Sequence, residues 1–411
     1  MFISSYAGRT CCMNNDSIGW FTKTLSFYFL SLILGAINIG AIGSVLKILG
    51  FIPIIIWLFS TKGKLFLNPL FNSASLFLVW TAVSVIWSIN MKASVTRALT
   101  QLSFILLLAA ASAYDYNSDE IHLLKKSLIW SSRISVMVSL LFSASIEGRL
   151  RLYGVVTEDP NYLCMYFIFG IVHAVEGLLG ENKAIKKGMY LAELFAYLYV
   201  IISTGSRGGA LAAAAAFAIH FFMIQGEKQL SFTRIAGNIV FVAVSVAGLY
   251  IATNLVAESI LYRFTVQSII STGGTGRTQL WSDAWRTFRD SGIFREIFGY
   301  GTGTAKTIAA NFNFSYVNVI HNIFLENLLE VGTIGVGFYL FYIYRFWNFA
   351  RKADHFCFSV ISGLIVMSLT VSAAAFKPYW NILVFTICVF RSEQSDEGLS
   401  VDEESACNSC Q

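Results

Sequence analysis

Runs of about 20 apolar residues, the length that carries an α-helix across a bilayer, recur along the chain between short polar clusters. They predict helices near 24–42, 45–60, 71–89, 97–114, 127–145, 161–179 and 188–203, then near 207–224, 235–256, 319–346, 356–374 and 378–391. The short 41–60 region also reads as re-entrant, and the last run is brief for a span. The pattern gives an all-α fold: a polytopic integral membrane helix bundle of about 12 transmembrane helices, because only closed backbone hydrogen bonding survives in lipid. A cytoplasmic N-terminal segment at 1–23 precedes the membrane domain at 24–391, and an acidic, disordered cytoplasmic tail at 392–411 follows it. One larger extracytoplasmic loop, at 257–318, interrupts the domain. Within it, Thr278 to Gly292 reads as an amphipathic helix with Leu280, Ala284 and Phe288 on one face, placed to lie over the mouth of the bundle as a lid.

Composition agrees. The 411 residues are 56% hydrophobic and 13% charged, with a mean hydropathy of +0.64. That is about half the charged share of a soluble domain, so the surplus apolar surface faces lipid. A formal charge of +5 then reports topology and not a nucleic-acid partner. Lys62 and Lys64, Lys125 and Lys126, Lys183, Lys186 and Lys187, Lys228 and Arg234, and Arg351 and Lys352 fall in alternate loops with the termini, which puts both termini in the cytoplasm. The opposite face carries Arg149, Arg151, Arg207, Arg263, Arg277, Arg286, Arg289 and Arg295, a surplus that needs its own cause. The first apolar run ends without a cleavage site, so the first helix stays as an anchor. None of the seven cysteines lies in the long loop, so no external disulfide is implied. The C-x-x-C of Cys407 and Cys410 is a weak redox or metal signal. No histidine pair has metal-ligand spacing, and neither a metal nor another cofactor is expected.

Three segments place polar residues where lipid and helix packing would not. In Ser203 to Ala210 (STGSRGGA), Arg207 and hydroxyls flank a helix N-terminus, a competent anion site. The bland alternative has Arg207 snorkelling to the interface and the glycines serving helix packing. In Ser271 to Trp281 (STGGTGRTQLW), a Gly-rich turn feeds Arg277 into a helix. Such a turn can form an anion nest beside a bidentate guanidinium, or be a plain flexible loop. Neither it nor Gly299 to Thr307 fits an ATP-binding P-loop. In Val319 to Phe338, Asn322, Glu326 and Glu330 recur every four residues as one polar stripe, with His321 beside its outer end, and Gly332 and Gly335 permit close packing. Ionisable groups in a span usually face a cavity or a partner, and Glu330 pairing with Arg133 is the structural alternative. Glu147 to Asn161 adds Arg149 and Arg151, then Asp159, Pro160 and Asn161 as a possible helix cap. Together these residues suggest a pocket for an anionic headgroup, with a lipid-linked diphosphate as the natural ligand.

SRGG around Arg207, GR-x-x-x-W at Gly276 to Trp281, FGYGTGT at Phe298 to Thr304 and HN-x9-G-x-x-G from His321 to Gly335 resemble, in order and spacing, the O-antigen ligase and Wzy-type polymerase superfamily. The resemblance implies a metal-independent inverting glycosyltransferase in the bacterial inner (plasma) membrane. Such an enzyme moves a glycan from undecaprenyl diphosphate to a glycan, lipid A core or other hydroxyl acceptor, without a nucleotide sugar. It also implies contacts with the lipid bilayer and with other polysaccharide-assembly proteins. By resemblance, Arg207 and Arg277 hold the diphosphate and stabilise its developing charge, Arg149 and Arg151 add to glycan or diphosphate binding, and His321 orients or deprotonates the attacking hydroxyl. The stripe of Asn322, Glu326 and Glu330 supports that helix. The rival class is a transporter or lipid-linked-glycan flippase. Transporters commonly repeat polar midplane sites in both halves, whereas here the polar signals gather in the second half. A non-catalytic scaffold is a third reading.

Overall fold

The computed structural model describes residues 18–33, 49–141, 143–146, 149–152, 160–226, 258–271, 276–314, 320–372 and 374–409. Its helices are α1 (Trp20–Leu30), α2 (Phe51–Ser60), α3 (Pro69–Val83), α4 (Met91–Ser112), α5 (Ser118–Leu141), α6 (Pro160–Gly180), α7 (Ala184–Ser203) and α8 (Arg207–Gly226). The long loop supplies α9 (Glu258–Tyr262), α10 (Val266–Ser271), α11 (Arg277–Arg289), α12 (Ile293–Phe298) and α13 (Ala305–Asn311). Helices α14 (Ile323–Ala353), α15 (His355–Ser368) and α16 (Lys377–Ser409) complete the chain.

Among the described residues five segments are long and apolar enough to cross a membrane: Pro69–Trp87, Met91–Ser112, Pro160–Gly180, Arg207–Ile224 and Ile323–Ala353. Phe51–Ser60 and His355–Ser368 are apolar but shorter. The protein is therefore a multi-pass helical membrane protein, with five such spans among the described residues against the dozen expected. The helix expected at 235–256 lies outside the described residues, as do most of segment 1–23 and residues 34–48 of the two runs expected at 24–42 and 45–60.

Elsewhere the boundaries move for local reasons. Helix α5 begins at Ser118, nine residues before the expected 127, because Asp119 and Glu120 suit the positive end of a helix. It stops at Leu141, and the expected helical residues 143–145 are strand: β1 (Ser143–Ile146) pairs antiparallel with β2 (Arg149–Leu152), Ile146 opposite Arg149 and Ala144 opposite Arg151. The alternation in Arg149–Leu152, RLRL, is the two-residue period of a strand. Among the described residues the fold is thus all-α apart from this strand pair. Helix α16 runs past the apolar stretch to Ser409, where a tail without regular structure was expected.

In the bundle, α8 packs against α15 and α6, α6 against α5 and α7, and α14 against α3. Several polar groups inside it are paired with one another, which lowers the cost of placing them away from water. The hydroxyls of Tyr339 and Tyr342 lie 3.1 and 2.9 Å from that of Tyr379. Arg133 donates to both carboxylate oxygens of Glu193 at 2.9 Å, so Arg133 is not the partner of Glu330.

The span expected as one helix near 319–346 starts at Ile323 and is broken at Gly332, whose φ of 69° and ψ of −173° are not helical. A break removes the i+4 donors of the carbonyls before it. Those carbonyls are served from outside the helix: Tyr300 N donates to Leu329 O and Gly301 N to Glu330 O, both at 2.8 Å, and Trp80 Nε1 donates to Val331 O at 3.0 Å. A Cβ on Gly332 would stand 2.2 Å from Ile297 O, and one on Gly299 2.4 Å from Glu330 O. Both glycines are required by close backbone approach as well as by positive φ.

Gly332→Ala is expected to destabilise the protein by about 2–4 kcal/mol through strain and overlap. Gly337→Ala, in open space, is expected to leave stability unchanged or raise it by up to about 1 kcal/mol. Thermal midpoints of the detergent-solubilised variants check both, and equal midpoints would count against the interlock.

Candidate functional site

Arg207 opens α8 behind a tight turn in which Gly205 has a φ of 65°. The Ser206 hydroxyl accepts from Gly209 N at 2.9 Å and donates to Asn161 Oδ1 at 2.6 Å, which caps α8 and ties it to the start of α6. Cβ atoms on Gly208 and Gly209 would meet Thr370 Oγ1 at 2.1 Å and Cys164 Sγ at 2.5 Å. The glycines therefore do serve helix packing, against α6 and the end of α15. Arg207 does not snorkel: its Nε donates to Arg263 O and its Nη2 to Ser268 Oγ, the latter at 2.9 Å. Arg263 Nε reaches back to Gly205 O at 3.4 Å. This exchange lays the long-loop segment 258–271 over the turn. Arg207 Nη1 is buried without a hydrogen bond among the described residues, a donor available to an anion.

Arg277 is the first residue of α11, behind Gly276 in the left-handed region at φ 80°. The expected apolar face of this helix is present, although the helix ends at Arg289 and not at Gly292. Leu280 and Ala284 are buried, and Phe288 packs with them in a second core shared with Tyr300, Ile308 and Ile320. One turn after Arg277, Trp281 Nε1 donates to Ile320 O at 3.1 Å, which fixes α11 to the residue before His321. Residues 272–275 of the Gly-rich turn lie outside the described residues.

His321 is half-buried and holds a φ of 55°. A non-glycine residue there stores of order 1–3 kcal/mol of strain. It is held between Ile320, fixed by Trp281, and Asn322, which caps α14. The Asn322 Oδ1 accepts from Phe324 N and Leu325 N at 3.0 and 3.1 Å, and its Nδ2 donates to Leu369 O at 3.3 Å. Strain in a residue so tightly bracketed is a mark of functional sites.

A chain of contacts thus runs from the Arg207 turn through Asn161 and Thr370 to Leu369, Asn322, His321 and the helix that carries Arg277. It puts three of the sequence-predicted site residues at one end of the bundle. Arg149 and Arg151 lie on β2, which pairs with β1 at the end of α5, and Asp159 lies outside the described residues. Asn161 belongs to the contact chain, and Pro160 takes the first helical position that suits proline.

The stripe on α14 divides into three tasks. Asn322 is the cap. Glu330 accepts from Gly303 N at 2.8 Å and Ala305 N at 2.9 Å, so its carboxylate anchors the GYGTGT loop. Glu326 is fully buried, and its Oε1 lies 3.8 Å from Arg97 Nη2. Arg97, on α4, was missed in the sequence. Its signal was there: Asn90 caps α4 by accepting from Ala93 N, Lys92 then stands in the first turn, which disfavours cations, and Arg97 is an ionisable group within an apolar span.

The long loop is held to α3 and α4 as well. Trp87 Nε1 donates to Phe298 O at 3.0 Å, Ile89 N to Tyr300 O at 3.0 Å, and Arg295 Nη1 to Trp87 O and Gly299 O at 3.0 and 3.1 Å. Burial pushes the Tyr300 phenol above its usual range, against the lowering effects of Ser291 and the Arg295 guanidinium. Arg263 and Arg295 therefore account for part of the arginine surplus as loop clamps. Among the described residues no three His, Cys, Asp or Glu side chains converge as a metal-ligand set.

Residues 193–340 match the family model Wzy_C, described as O-Antigen ligase. This stretch, little more than a third of the chain, contains Arg207, Arg277, His321 and the break at Gly332, and it bears out the resemblance to the O-antigen ligase and polymerase superfamily. No curated protein matches the chain.

Glu330→Gln keeps one acceptor oxygen but turns an NH2 toward a backbone donor. It is expected to cost about 1.5–3 kcal/mol and to expose the loop at 299–305 to protease. Cleavage there no faster than in the wild type would show that the carboxylate is not the anchor.

Proposed function

We propose that the protein is a membrane glycosyltransferase that takes a glycan from a polyprenyl diphosphate at the extracytoplasmic face and passes it to an acceptor hydroxyl. The observation that carries this reading is the contact chain joining the Arg207 turn, the helix of Arg277 and the strained His321 turn, all within the O-antigen ligase-type segment. The alternating lysine loops support cytoplasmic termini and an extracytoplasmic site, and a bacterial plasma membrane is the setting in which undecaprenyl diphosphate would be the donor.

In the proposed reaction the acceptor oxygen attacks the anomeric carbon from the face opposite the diphosphate, its proton passes to the His321 imidazole, and the carbon–oxygen bond to the diphosphate breaks. The electron pair leaves on the diphosphate oxygen, and the anomeric configuration inverts. Arg207 and Arg277 stabilise the charge that grows on the leaving group, an electrostatic contribution that needs neither a metal nor a nucleotide. Arg207 is suited to this because two of its donors are already fixed to the loop, so its geometry is set before substrate arrives. The acceptor is a second lipid-linked repeat in a polymerase and lipid A core or another hydroxyl in a ligase.

Arg207→Ala, Arg277→Ala and His321→Ala are each expected to lower transfer by about 100-fold or more while the protein still inserts in the membrane. Arg277→Lys is expected to restore little, since an ammonium lacks the planar fork. The check is the profile of lipid-linked glycans and surface polysaccharide in cells carrying each variant. Accumulated single repeats mean a polymerase, and accumulated long lipid-linked chains mean a ligase. Normal polysaccharide in all three alanine variants would end the assignment, and repeats trapped on the inner leaflet would make the protein a flippase.

A further inference from the structure

A groove of about 520 Å³ opens beside the first turns of α4, lined by Lys92, Thr96, Arg97, Thr100, Gly303 and Ala375. Its lining does not include Arg207, Arg277 or His321, and the proposed reaction makes no use of it. Lys92 and Thr96 are exposed, and Arg97 is half-buried. Among the described residues Arg97 donates no hydrogen bond, and its approach to Glu326 at 3.8 Å is too long for one. The planar N–H donors of Arg97, in a groove also lined by the Lys92 ammonium and the hydroxyls of Thr96 and Thr100, form a receptor for a tetrahedral oxyanion.

The floor of the groove is rigid. A Cβ on Gly303 would stand 2.9 Å from Arg97 Cβ and 3.0 Å from Ala93 O, and Gly303 N is held by Glu330. The loop therefore presses on α4 here and fixes the side from which Arg97 can be reached.

The neighbouring face of the same helix says what kind of molecule brings the anion. Met91, Val95, Leu99 and Leu102 follow at spacings of four, four and three and are all exposed, Leu99 to 63%. Lys92, Thr96 and Thr100 run parallel to them, one residue on. An apolar ridge beside a cationic groove, at the end of a span, fits a ligand with a hydrocarbon chain and a phosphate at one end. We propose that this groove is a second anion site, distinct from Arg207 and Arg277, that takes the phosphate end of a membrane lipid whose chain lies along Met91, Val95, Leu99 and Leu102. The site stands on the groove alone. Only given the transfer proposed above does it also suit an acceptor that is itself lipid-linked.

The test uses the full-length protein, delipidated in detergent, with geranylgeranyl diphosphate as probe and native mass spectrometry as readout. Lys92→Gln and Arg97→Lys, which keeps a cation facing Glu326, are each expected to weaken one bound equivalent about tenfold, and Arg277→Gln to leave that equivalent in place. Binding unchanged in both α4 variants overturns the proposal. Loss of all binding in Arg277→Gln also overturns it, and leaves the transfer site standing. Loss in the α4 variants alone supports the groove and counts against Arg277 as a diphosphate ligand. Excess phosphatidylglycerol separates the sources: displacement of the probe assigns the groove to bulk phospholipid, and persistence to a prenyl diphosphate, each a lipid phosphate in the place proposed.

Discussion

Everything at the site end of the bundle depends on how a broken helix disposes of its carbonyl groups. A span interrupted in lipid leaves acceptors that water cannot reach, and each unmet group would cost several kcal/mol. In α14 the break at Gly332 is met by Tyr300 N, Gly301 N and Trp80 Nε1, on Leu329, Glu330 and Val331 O. The arrangement binds the long loop to the membrane helix by its backbone. Glu330 adds its side chain to the same seam, and its two N–H donors suit a buried carboxylate better than one distant cation would.

Once that seam is made, the rest of the loop has little freedom. Residues 299–305 are held on one side by α14 and on the other by the turn between α3 and α4, where Ser94 Oγ donates to Thr302 O and Thr302 N donates to Ser84 Oγ at 2.9 Å. Helix α11 is carried on the second core that grows from Tyr300, Ile308 and Leu329, and its Trp281 reaches the residue before His321. The strained backbone at His321 is therefore bracketed by a helix cap and a tryptophan, both resting on the interlock. Preorganisation of this kind is what the role proposed for His321 requires, and a loop tied down only by side chains would not give it.

How much of this could be read in the sequence differs by element. The spans near 71–89, 97–114, 161–179 and 207–224 are legible because apolar length is a direct physical requirement. The helix at Arg277–Arg289 is legible because its apolar residues recur at helical spacing. The polar stripe on α14 was visible, but its use was not. The four-residue spacing of Asn322, Glu326 and Glu330 says that they share a face, and says nothing of whether that face meets backbone N–H groups, a guanidinium or a cap. The break at Gly332 was equally hidden. Glycine in a span usually signals close packing, and only the approach of Ile297 O shows that packing and a change of backbone direction coincide here. The hairpin at Ser143–Leu152 was missed because an apolar run masked the two-residue period at its end.

Arg97 shows why the missed residues matter. Two carboxylates one turn apart on a buried helix face repel each other, and the fold treats them differently: Glu330 is satisfied by backbone donors, while among the described residues Glu326 faces the Arg97 guanidinium at 3.8 Å. That guanidinium also lines the groove beside α4. Anything anionic that enters the groove competes with Glu326 for the same donors, and Glu326 sits one turn below the cap that holds His321. A buried ion pair of this length contributes little to stability by itself. Its consequence is electrostatic: it makes the charge state of the groove felt on the helix face that leads to the proposed reaction centre, through one side chain that neither the stripe nor the arginine motifs contain.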